Sequence, residues 1–217
     1  MRGTLRRLMH GDWQQRWDAG NINFHRRAVH PALLRHWTPR TGTVLVPLCG
    51  KTLDLRWLAE RGHRVIGVEL VERAVLAFFE EQHLAFDRHD GPLPSFVARD
   101  LPITIHQGDY FSLSKLRCDA LWDRAALVAL PLELRRAYAK HTDSLLAPDA
   151  FRLVVTLEYD QALVQGPPFS VPANEVRGYW PRLEMLERSD APDEAPPKFR
   201  AAGATLAEAV WRSPVTG

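Results

Sequence analysis

The chain has 217 residues, 46% hydrophobic and 25% charged, and its formal net charge is only +2. These proportions exclude a disordered chain and fit one globular domain with a full hydrophobic core. The two cysteines, Cys49 and Cys118, lack C-x-x-C spacing and follow no secretory apolar run, which argues against disulfides and thiolate-rich metal sites. We therefore expect a reduced, cytoplasmic protein that makes no membrane contact.

The amino-terminal segment is predicted to be helical. Apolar residues recur every three or four positions between residues 12 and 37, with breaks at a Gly-Asn turn and at a proline. This pattern predicts two short helices that cap the domain ahead of its first strand. Residues 1–11 are expected to form a disordered leader.

Residues 1–40 also carry eight arginines against two acids. Because aromatic residues alternate with these arginines at helical spacing, the solvated face of amphipathic helices is the better interpretation. The alternative is a nucleic-acid-binding protein. It would use a basic arm made of Arg2, Arg6, Arg7, Arg26 and Arg27.

The next segment has the pattern of a βαβ unit. Residues 44–51 run from an apolar strand into a turn, a helical pattern follows, and residues 65–69 form a second strand that ends in Glu69. In a doubly wound α/β fold, such a turn lies under an adenosine-bearing ligand. A carboxylate about 20 residues further on accepts hydrogen bonds from the ribose hydroxyls.

The residues of the turn separate three candidate cofactors. A dinucleotide site needs G-x-G-x-x-G, but only Gly50 is present, and a P-loop needs a glycine where this chain has Leu45. A turn that cradles no phosphate tolerates Pro47, Leu48 and Cys49. The sequence therefore favours S-adenosylmethionine, an adenosine ligand without phosphates.

The alternation of helices and strands continues along the chain. Helices are predicted at residues 72–82, 131–146 and 172–179, and strands at 103–109, 118–123, 151–157, 182–187 and 205–211. Residues 86–102 contain one glycine and three prolines, which predicts an insertion or irregular loop. This alternation is typical of a mostly parallel sheet with helices on both faces and a ligand at the carboxyl ends of its strands.

Three residues at predicted strand ends are candidate site residues. Glu69 is interpreted as the ribose-binding carboxylate. Asp109 is either an acceptor for an adenine amine or a turn and helix-cap aspartate, with equal weight. Arg124 either attracts an anionic acceptor or forms an ion pair with Asp123 or another acid.

Other chemistries lack their motifs. The D/N-P-P-Y/F element of amino-group methyltransferases that act on nucleic acid is missing after residue 122, and no H-x-x-x-H or H-E-x-x-H pattern supports a metal site. Cys49 is expected to be a small buried thiol rather than a nucleophile.

Several distinctive strings occur in order along the chain: Trp13-x-x-x-Trp17-x-x-Gly20-x-x-x-Phe24-His25, Pro47-Leu48-Cys49-Gly50-Lys51, Gly67-Val68-Glu69, Phe78-Phe79-Glu80-Glu81-Gln82, Trp122-Asp123-Arg124-Ala125-Ala126-Leu127-Val128-Ala129, Tyr159-Asp160 and Gly166-Pro167-Pro168-Phe169-x-Val171-Pro172. Together they resemble the thiopurine S-methyltransferase family, especially its bacterial members, over roughly residues 12–212.

This resemblance implies a class I S-adenosylmethionine-dependent methyltransferase: an α/β, Rossmann-like, mostly parallel seven-stranded sheet with helices on both faces. Residues 12–40 would form an N-terminal helical cap or lid, and residues 41–217 the core of a single domain. The implied reaction is direct in-line methyl transfer to the sulfur of thiopurines or related aromatic and heterocyclic thiols, and in some bacterial members to selenium or tellurium compounds. The implied partner is a small thiol or metalloid acceptor, without nucleic acid or metal, and the implied state is a monomer. A small-molecule O- or N-methyltransferase of the same fold is the alternative.

The resemblance also implies residue roles. The predicted cofactor-binding residues are Trp13, Trp17, Leu48, Gly50, Glu69, Asp109, Tyr110 and Arg124. Phe24 lies in the implied lid and faces the acceptor, together with Arg124, which places charge without acting as a general base. Lys198 and Arg200 are similar to a basic element near the acceptor.

Overall fold

Nine strands in the described part of the chain form one sheet, with five parallel strands at its centre. The computed structural model describes residues 11–21, 25–190 and 197–214. The strands are β1 (Gly42–Pro47), β2 (His63–Glu69), β3 (Phe86–His89), β4 (Ser95–Ala98), β5 (Ile103–Gln107), β6 (Cys118–Asp123), β7 (Leu146–Glu158), β8 (Glu184–Asp190) and β9 (Ala207–Arg212). Their spatial order is β3-β4-β5-β2-β1-β6-β7-β9-β8. The chain runs outward from β1 on one side and returns to β6 on the other, so the strand order reverses beside β1.

Helices cover both faces of this sheet. They are α1 (residues 11–18), α2 (Pro31–His36), α3 (Asp54–Ala59), α4 (Glu72–Glu81), α5 (Ala126–Ala129), α6 (Leu132–Leu145), α7 (Ala173–Tyr179) and α8 (Pro197–Ala201). Side chains from α2, α3 and α4 join one apolar core, and side chains from α5, α6 and α7 join the other. Alternate strand residues divide between the two cores, as Val44 and Leu45 do, because successive side chains point to opposite faces.

The spacing of apolar residues in helix α4 determines which side of the helix packs on the sheet. Its buried residues Ala74, Val75, Phe78 and Phe79 lie on one side at helical spacing, as the sequence predicts for the two phenylalanines. Full burial of an aromatic side chain contributes roughly 1.5–3 kcal/mol. The helix is therefore held on the sheet mainly by these two rings.

The prediction of an irregular loop at residues 86–102 is wrong. Strands β3 and β4 form an antiparallel hairpin that extends the sheet beyond β5, so the seven predicted strands become nine. The prolines lie outside the paired residues, and Phe86 and Phe96 pack on Phe79 with ring centroids 4.6 Å and 6.5 Å away. The hairpin is thus stabilised by contacts with α4 that local composition does not reveal.

The remaining elements follow the predictions with shifted ends. Two short helices, α1 and α2, precede β1, and α2 begins at Pro31 after His30, whose ring accepts a hydrogen bond from the backbone N–H of Ala32. Strands β8 and β9 begin two residues later than predicted. None of the helices in the described ranges is long and apolar enough to cross a membrane.

Candidate active site

A cavity of about 570 Å³ opens at the carboxyl ends of the central parallel strands. Its wall is built by the residues that follow β1, β2, β5 and β6, and by side chains from α1, β7, α8 and β9. Since strand order reverses beside β1, the connections after β1 and β6 diverge there and leave room for a ligand. The cavity thus lies at the ligand-binding position of a doubly wound sheet.

The turn after β1 has an unusual backbone. Leu48 has a φ of 49° and Gly50 a φ of 53°, in the left-handed region that is costly for leucine and natural for glycine. A Cβ at position 50 would only touch the ring of Trp17 at 3.6 Å, so conformation rather than space requires the glycine. Both residues line the cavity, where the sequence predicted them to bind cofactor.

Glu69 holds this turn in place. Its Oε2 accepts a hydrogen bond from the N–H of Gly50 (2.8 Å), and its Oε1 accepts one from the N–H of Val71 (2.9 Å). Burial raises the pKa of Glu69, while these two N–H donors act in the opposite direction. Each oxygen keeps acceptor capacity beyond these bonds, and the side chain lines the cavity.

Asp109 and Tyr110 follow β5 and form the adjacent wall. Asp109 Oδ1 accepts from the N–H of Phe111 (3.0 Å), so the capping role that the sequence left open is present alongside the cavity position. The Tyr110 hydroxyl lies 2.9 Å from the hydroxyl of Thr142. This contact anchors the ring of Tyr110 in the wall.

Arg124 lines the cavity directly after β6, next to the buried Asp123. Asp123 Oδ1 accepts from the N–H groups of Ala126 and Leu127, and its Oδ2 accepts from the Tyr138 hydroxyl (2.7 Å). Burial raises the pKa of Asp123 to about 6. These bonds fix the start of α5, and with it the backbone from which Arg124 extends.

The amino-terminal helix contributes two of the predicted aromatic residues. Trp13 and Trp17 lie one turn apart on α1 and line the cavity, and Trp17 packs on Val71 and Ala74. Phe24, predicted to face the acceptor, lies outside the described residues. So do Arg2, Arg6 and Arg7 of the basic arm, whereas Arg26 lines the cavity.

Lys198 and Arg200 differ in position. The Lys198 side chain lines the cavity, and its Nζ donates to the carbonyl oxygens of Gln165 (2.7 Å) and Pro167 (2.8 Å). Desolvation, with a smaller effect from Arg16, lowers the pKa of Lys198. Arg200 is exposed and is not among the described residues that line the cavity, so the structure brings only one of the pair to the site.

Cys49 is a free, buried thiol, as the sequence predicts. Burial raises its pKa well above the ordinary value, which disfavours the nucleophilic thiolate. Across residues 11–21, 25–190 and 197–214, no group of three or more His, Cys, Asp or Glu side chains is arranged to hold a metal ion.

Sequence reasoning missed two charged residues of the cavity wall, Arg16 on α1 and Glu208 on β9. The available signal for Glu208 is that it is the one charged residue in the run from Leu206 to Trp211. A charge in an otherwise apolar strand is costly unless a function or a partner retains it.

The strand order and the position of the cavity are those of class I methyltransferases. A Burkholderia thailandensis 1,6-didemethyltoxoflavin-N1-methyltransferase superposes with a TM-score of 0.65 at 19% identity, covering 97% of this chain and 89% of that one. TehB from Haemophilus influenzae gives a TM-score of 0.59 at 14% identity, with coverages of 93% and 67%. These likenesses show a Rossmann-like class I methyltransferase fold.

Sequence comparison defines the family. The thiopurine S-methyltransferase family model matches residues 8–213. The thiopurine S-methyltransferase of Xanthomonas axonopodis pv. citri (strain 306) is 45% identical over 212 residues, which is 92% of this chain and 96% of that protein. The protein of the same name from Pseudomonas aeruginosa strain PAO1 is 47% identical over 190 residues, with coverages of 82% and 86%. The chain therefore belongs to the thiopurine S-methyltransferase family.

The raised pKa of Asp123 predicts a specific pH dependence of stability. Because the folded-state pKa of about 6 exceeds the ordinary 3.8, the folded protein keeps this proton to higher pH than the unfolded chain. The contribution of Asp123 to the free energy of unfolding is therefore present below pH 4 and falls by on the order of 3 kcal/mol as pH rises through 6. Asp123→Asn cannot titrate, so in urea unfolding the change in the free energy of unfolding from pH 4 to pH 7 should be more favourable to the folded state in this variant than in the wild type.

Asp119 provides the matched control, because it is an exposed acid of the same strand. Asp119→Asn should show the same change in the free energy of unfolding between pH 4 and pH 7 as the wild type. An Asp123→Asn variant with an unchanged trend would show that this carboxyl does not titrate between the two pH values.

Proposed function

We propose that this enzyme transfers the methyl group of S-adenosylmethionine to the sulfur atom of thiopurines or related heterocyclic thiols. The observation that carries the proposal is that the strands on the two sides of β1 line the cavity with chemically different residues, which define two ends. One end has the carboxylate of Glu69 beside the β1 turn. The other has apolar walls with Arg124 and Lys198. Membership of the family supports the choice of a thiopurine acceptor.

The first end fits an adenosine ligand without phosphates. The remaining acceptor capacity of Glu69 suits the two ribose hydroxyls. The turn after β1 presents Leu48 and one glycine, so it offers apolar surface where a dinucleotide site presents glycine backbone to a pyrophosphate. Tyr110 would give adenine an apolar neighbour, and Asp109 would accept from its amine. Trp13 and Trp17 on α1 would close this end.

The second end fits an anionic aromatic acceptor. Val128, Leu157, Pro167 and Pro168 supply apolar walls at this end. Arg124 adds a fixed positive charge that favours the thiolate form of an acceptor and holds it in the cavity. Binding of the acceptor next to the cofactor turns methyl transfer into a reaction between aligned neighbours.

The methyl transfer requires little proton transfer by the protein. The bound cofactor supplies an electrophilic sulfonium methyl group, towards which a soft thiolate is already nucleophilic. The protein contributes alignment, exclusion of water by Trp13 and Trp17, and an aromatic face whose attraction for a cation is about 0.5–2 kcal/mol. No general base is assigned to this reaction.

The direct test is incubation of the enzyme with S-adenosylmethionine and 6-mercaptopurine, followed by mass spectrometry. We expect one added methyl group, and chromatography against authentic S- and N-methyl standards should place it on sulfur. Adenine and hypoxanthine serve as nitrogen and oxygen controls and should give no product. Product from these controls with none from the thiol would establish the O- or N-methyltransferase alternative.

The ribose assignment is tested by Glu69→Ala. Loss of charged hydrogen bonds should weaken S-adenosylhomocysteine binding by about 10- to 100-fold in calorimetry. Glu81→Ala is the control, because Glu81 pairs with Lys51 and does not line the cavity. The 2′-deoxy analogue should bind wild type more weakly than S-adenosylhomocysteine, and this difference should disappear in Glu69→Ala. A difference that survives the substitution would remove Glu69 from the ribose site.

The acceptor role of Arg124 is tested by comparing alanine and lysine substitutions. Arg124→Ala should lower kcat/KM for 6-mercaptopurine by about 10- to 100-fold, because a charged contact is lost, and Arg124→Lys should recover part of it. Arg56→Ala, which breaks a surface pair with Glu60, is the control. Unchanged acceptor saturation and turnover in Arg124→Ala would rule out this role.

A further inference from the structure

Glu208 places a carboxylate in the cavity wall on the side away from Glu69. It lies on β9 directly opposite Leu157 of β7, and both residues line the cavity. The other carboxylates among the described lining residues lie on the proposed cofactor side: Glu69 is the last residue of β2, and Asp109 follows β5. Glu208 is thus the acid that the described part of the wall presents to the proposed acceptor end.

A buried polar network lies behind this carboxylate. Glu208 Oε2 is 3.4 Å from Nε2 of His30, whose side chain is only 2% exposed against 22% for Glu208. The backbone N–H of His30 donates to Asp54 Oδ1 (2.9 Å), and the indole N–H of Trp122 donates to Asp54 Oδ2 (2.8 Å). These bonds fix the backbone that carries His30 against the sheet.

One ring nitrogen of His30 acts as a hydrogen-bond acceptor. Its Nδ1 accepts a hydrogen bond from the N–H of Ala32 (3.2 Å), so Nδ1 carries no proton and the proton of the neutral ring is on Nε2. Nε2 is buried and has no hydrogen-bond partner among the described residues. The 3.4 Å to Glu208 is longer than a formed N–H···O bond. Glu208 therefore lies beside the N–H of His30 and keeps acceptor capacity on both carboxylate oxygens.

We propose that Glu208 selects acceptors that carry a ring N–H, by accepting a hydrogen bond from that group, and that His30 is the positioning residue behind it. This inference rests on the proposed function and names the part of the acceptor that the site recognises. The imidazole ring of a thiopurine supplies such an N–H even when its sulfur is a thiolate.

The physical reason is the cost of an unpaired carboxylate. An aromatic thiol without an N–H would cover Glu208, remove water from it and return no hydrogen bond. Sites built to hydrogen-bond one group discriminate strongly against analogues that lack it. The cations of the described cavity wall, Arg16, Arg26, Arg124 and Lys198, attract any thiolate, so they do not supply this discrimination.

The test measures binding to the enzyme saturated with S-adenosylhomocysteine, and needs no turnover. Calorimetry compares 6-mercaptopurine with benzenethiol, which lacks a ring N–H. Glu208→Leu should weaken 6-mercaptopurine binding by about 10- to 100-fold and leave benzenethiol within twofold or tighter. Glu208→Gln keeps one acceptor oxygen and should lose less. Glu158→Gln, which changes a β7 acid paired with Arg188 outside the cavity lining, should change neither.

His30→Asn separates positioning from folding. Asparagine can still cap α2 but is too short to reach Glu208, so the preference for 6-mercaptopurine over benzenethiol should fall while S-adenosylhomocysteine affinity stays within twofold. If His30 had a purely structural role, His30→Asn would weaken the binding of 6-mercaptopurine and of S-adenosylhomocysteine together.

Equal losses for the two thiols in Glu208→Leu, or no loss for 6-mercaptopurine, would overturn the inference. If the wild type methylates 6-mercaptopurine and Glu208→Leu leaves the preference unchanged, the inference fails while the proposed function stands. If the preference shifts as expected but no methyl reaches sulfur, the proposed function fails and the recognition role of Glu208 stands. Failure of 6-mercaptopurine to bind the wild-type complex would overturn both.

Discussion

The carboxylate of Glu69 joins the ends of β1 and β2 at the place where the strand order reverses. It accepts from the N–H groups of Gly50 and Val71, so the β1 turn and the start of α4 are fixed relative to each other. Burial of this acid is unfavourable, as the raised pKa of Glu69 shows, and the two N–H donors offset that cost. The left-handed backbone at Leu48 persists because its neighbours are held in this way. The other residues of the cavity wall lie around this turn.

Features that depend on short sequence separations could be predicted from the sequence. The βαβ unit, the spacing from the turn to Glu69 and the apolar side of α4 all lie within about forty residues, where periodicity and turn chemistry determine structure. The β3–β4 hairpin could not be predicted, because it depends on packing against Phe79 across a proline-rich segment. Glu208 was missed for a similar reason: β9 reaches the cavity only by pairing with β7, some fifty residues earlier in the chain. Asp109 shows a different limit of sequence analysis. The sequence offered a helix cap and a ligand-binding position as alternatives, whereas the structure shows the cap hydrogen bond and a position in the cavity wall together.

The charged lining residues at the ends of the central strands differ in sign on the two sides of β1. Glu69 at the end of β2 and Asp109 after β5 lie on one side of β1, and Arg124 follows β6 on the other. A field of this kind is set when the chain folds, so it costs no reorganisation when ligands meet. Under the proposed function, it favours the polar donors of an adenosine ligand on one side and an anionic acceptor on the other. Glu208 is an acid on the positively charged side. Its carboxylate allows the acceptor end to distinguish between acceptors of equal charge by the presence of a ring N–H.

The hydrogen bonds of Asp54 link the recognition of a ring N–H to the stability of the fold. Both oxygens of Asp54 are satisfied, by His30 and Trp122, which bind the segment before α2 to α3 and β6. Loss of one member would leave a buried polar group unpaired, at a cost of roughly 1–3 kcal/mol. The residues that place His30 against Glu208 are therefore also residues that hold the helical cap on the sheet. The apolar wall residues Val128 and Leu157 pack in or against the core and take no side-chain part in this network, so changes there alter the shape of the acceptor end without leaving a buried polar group unpaired. Within one fold, the shape of the acceptor end can thus change separately from the recognition of a ring N–H.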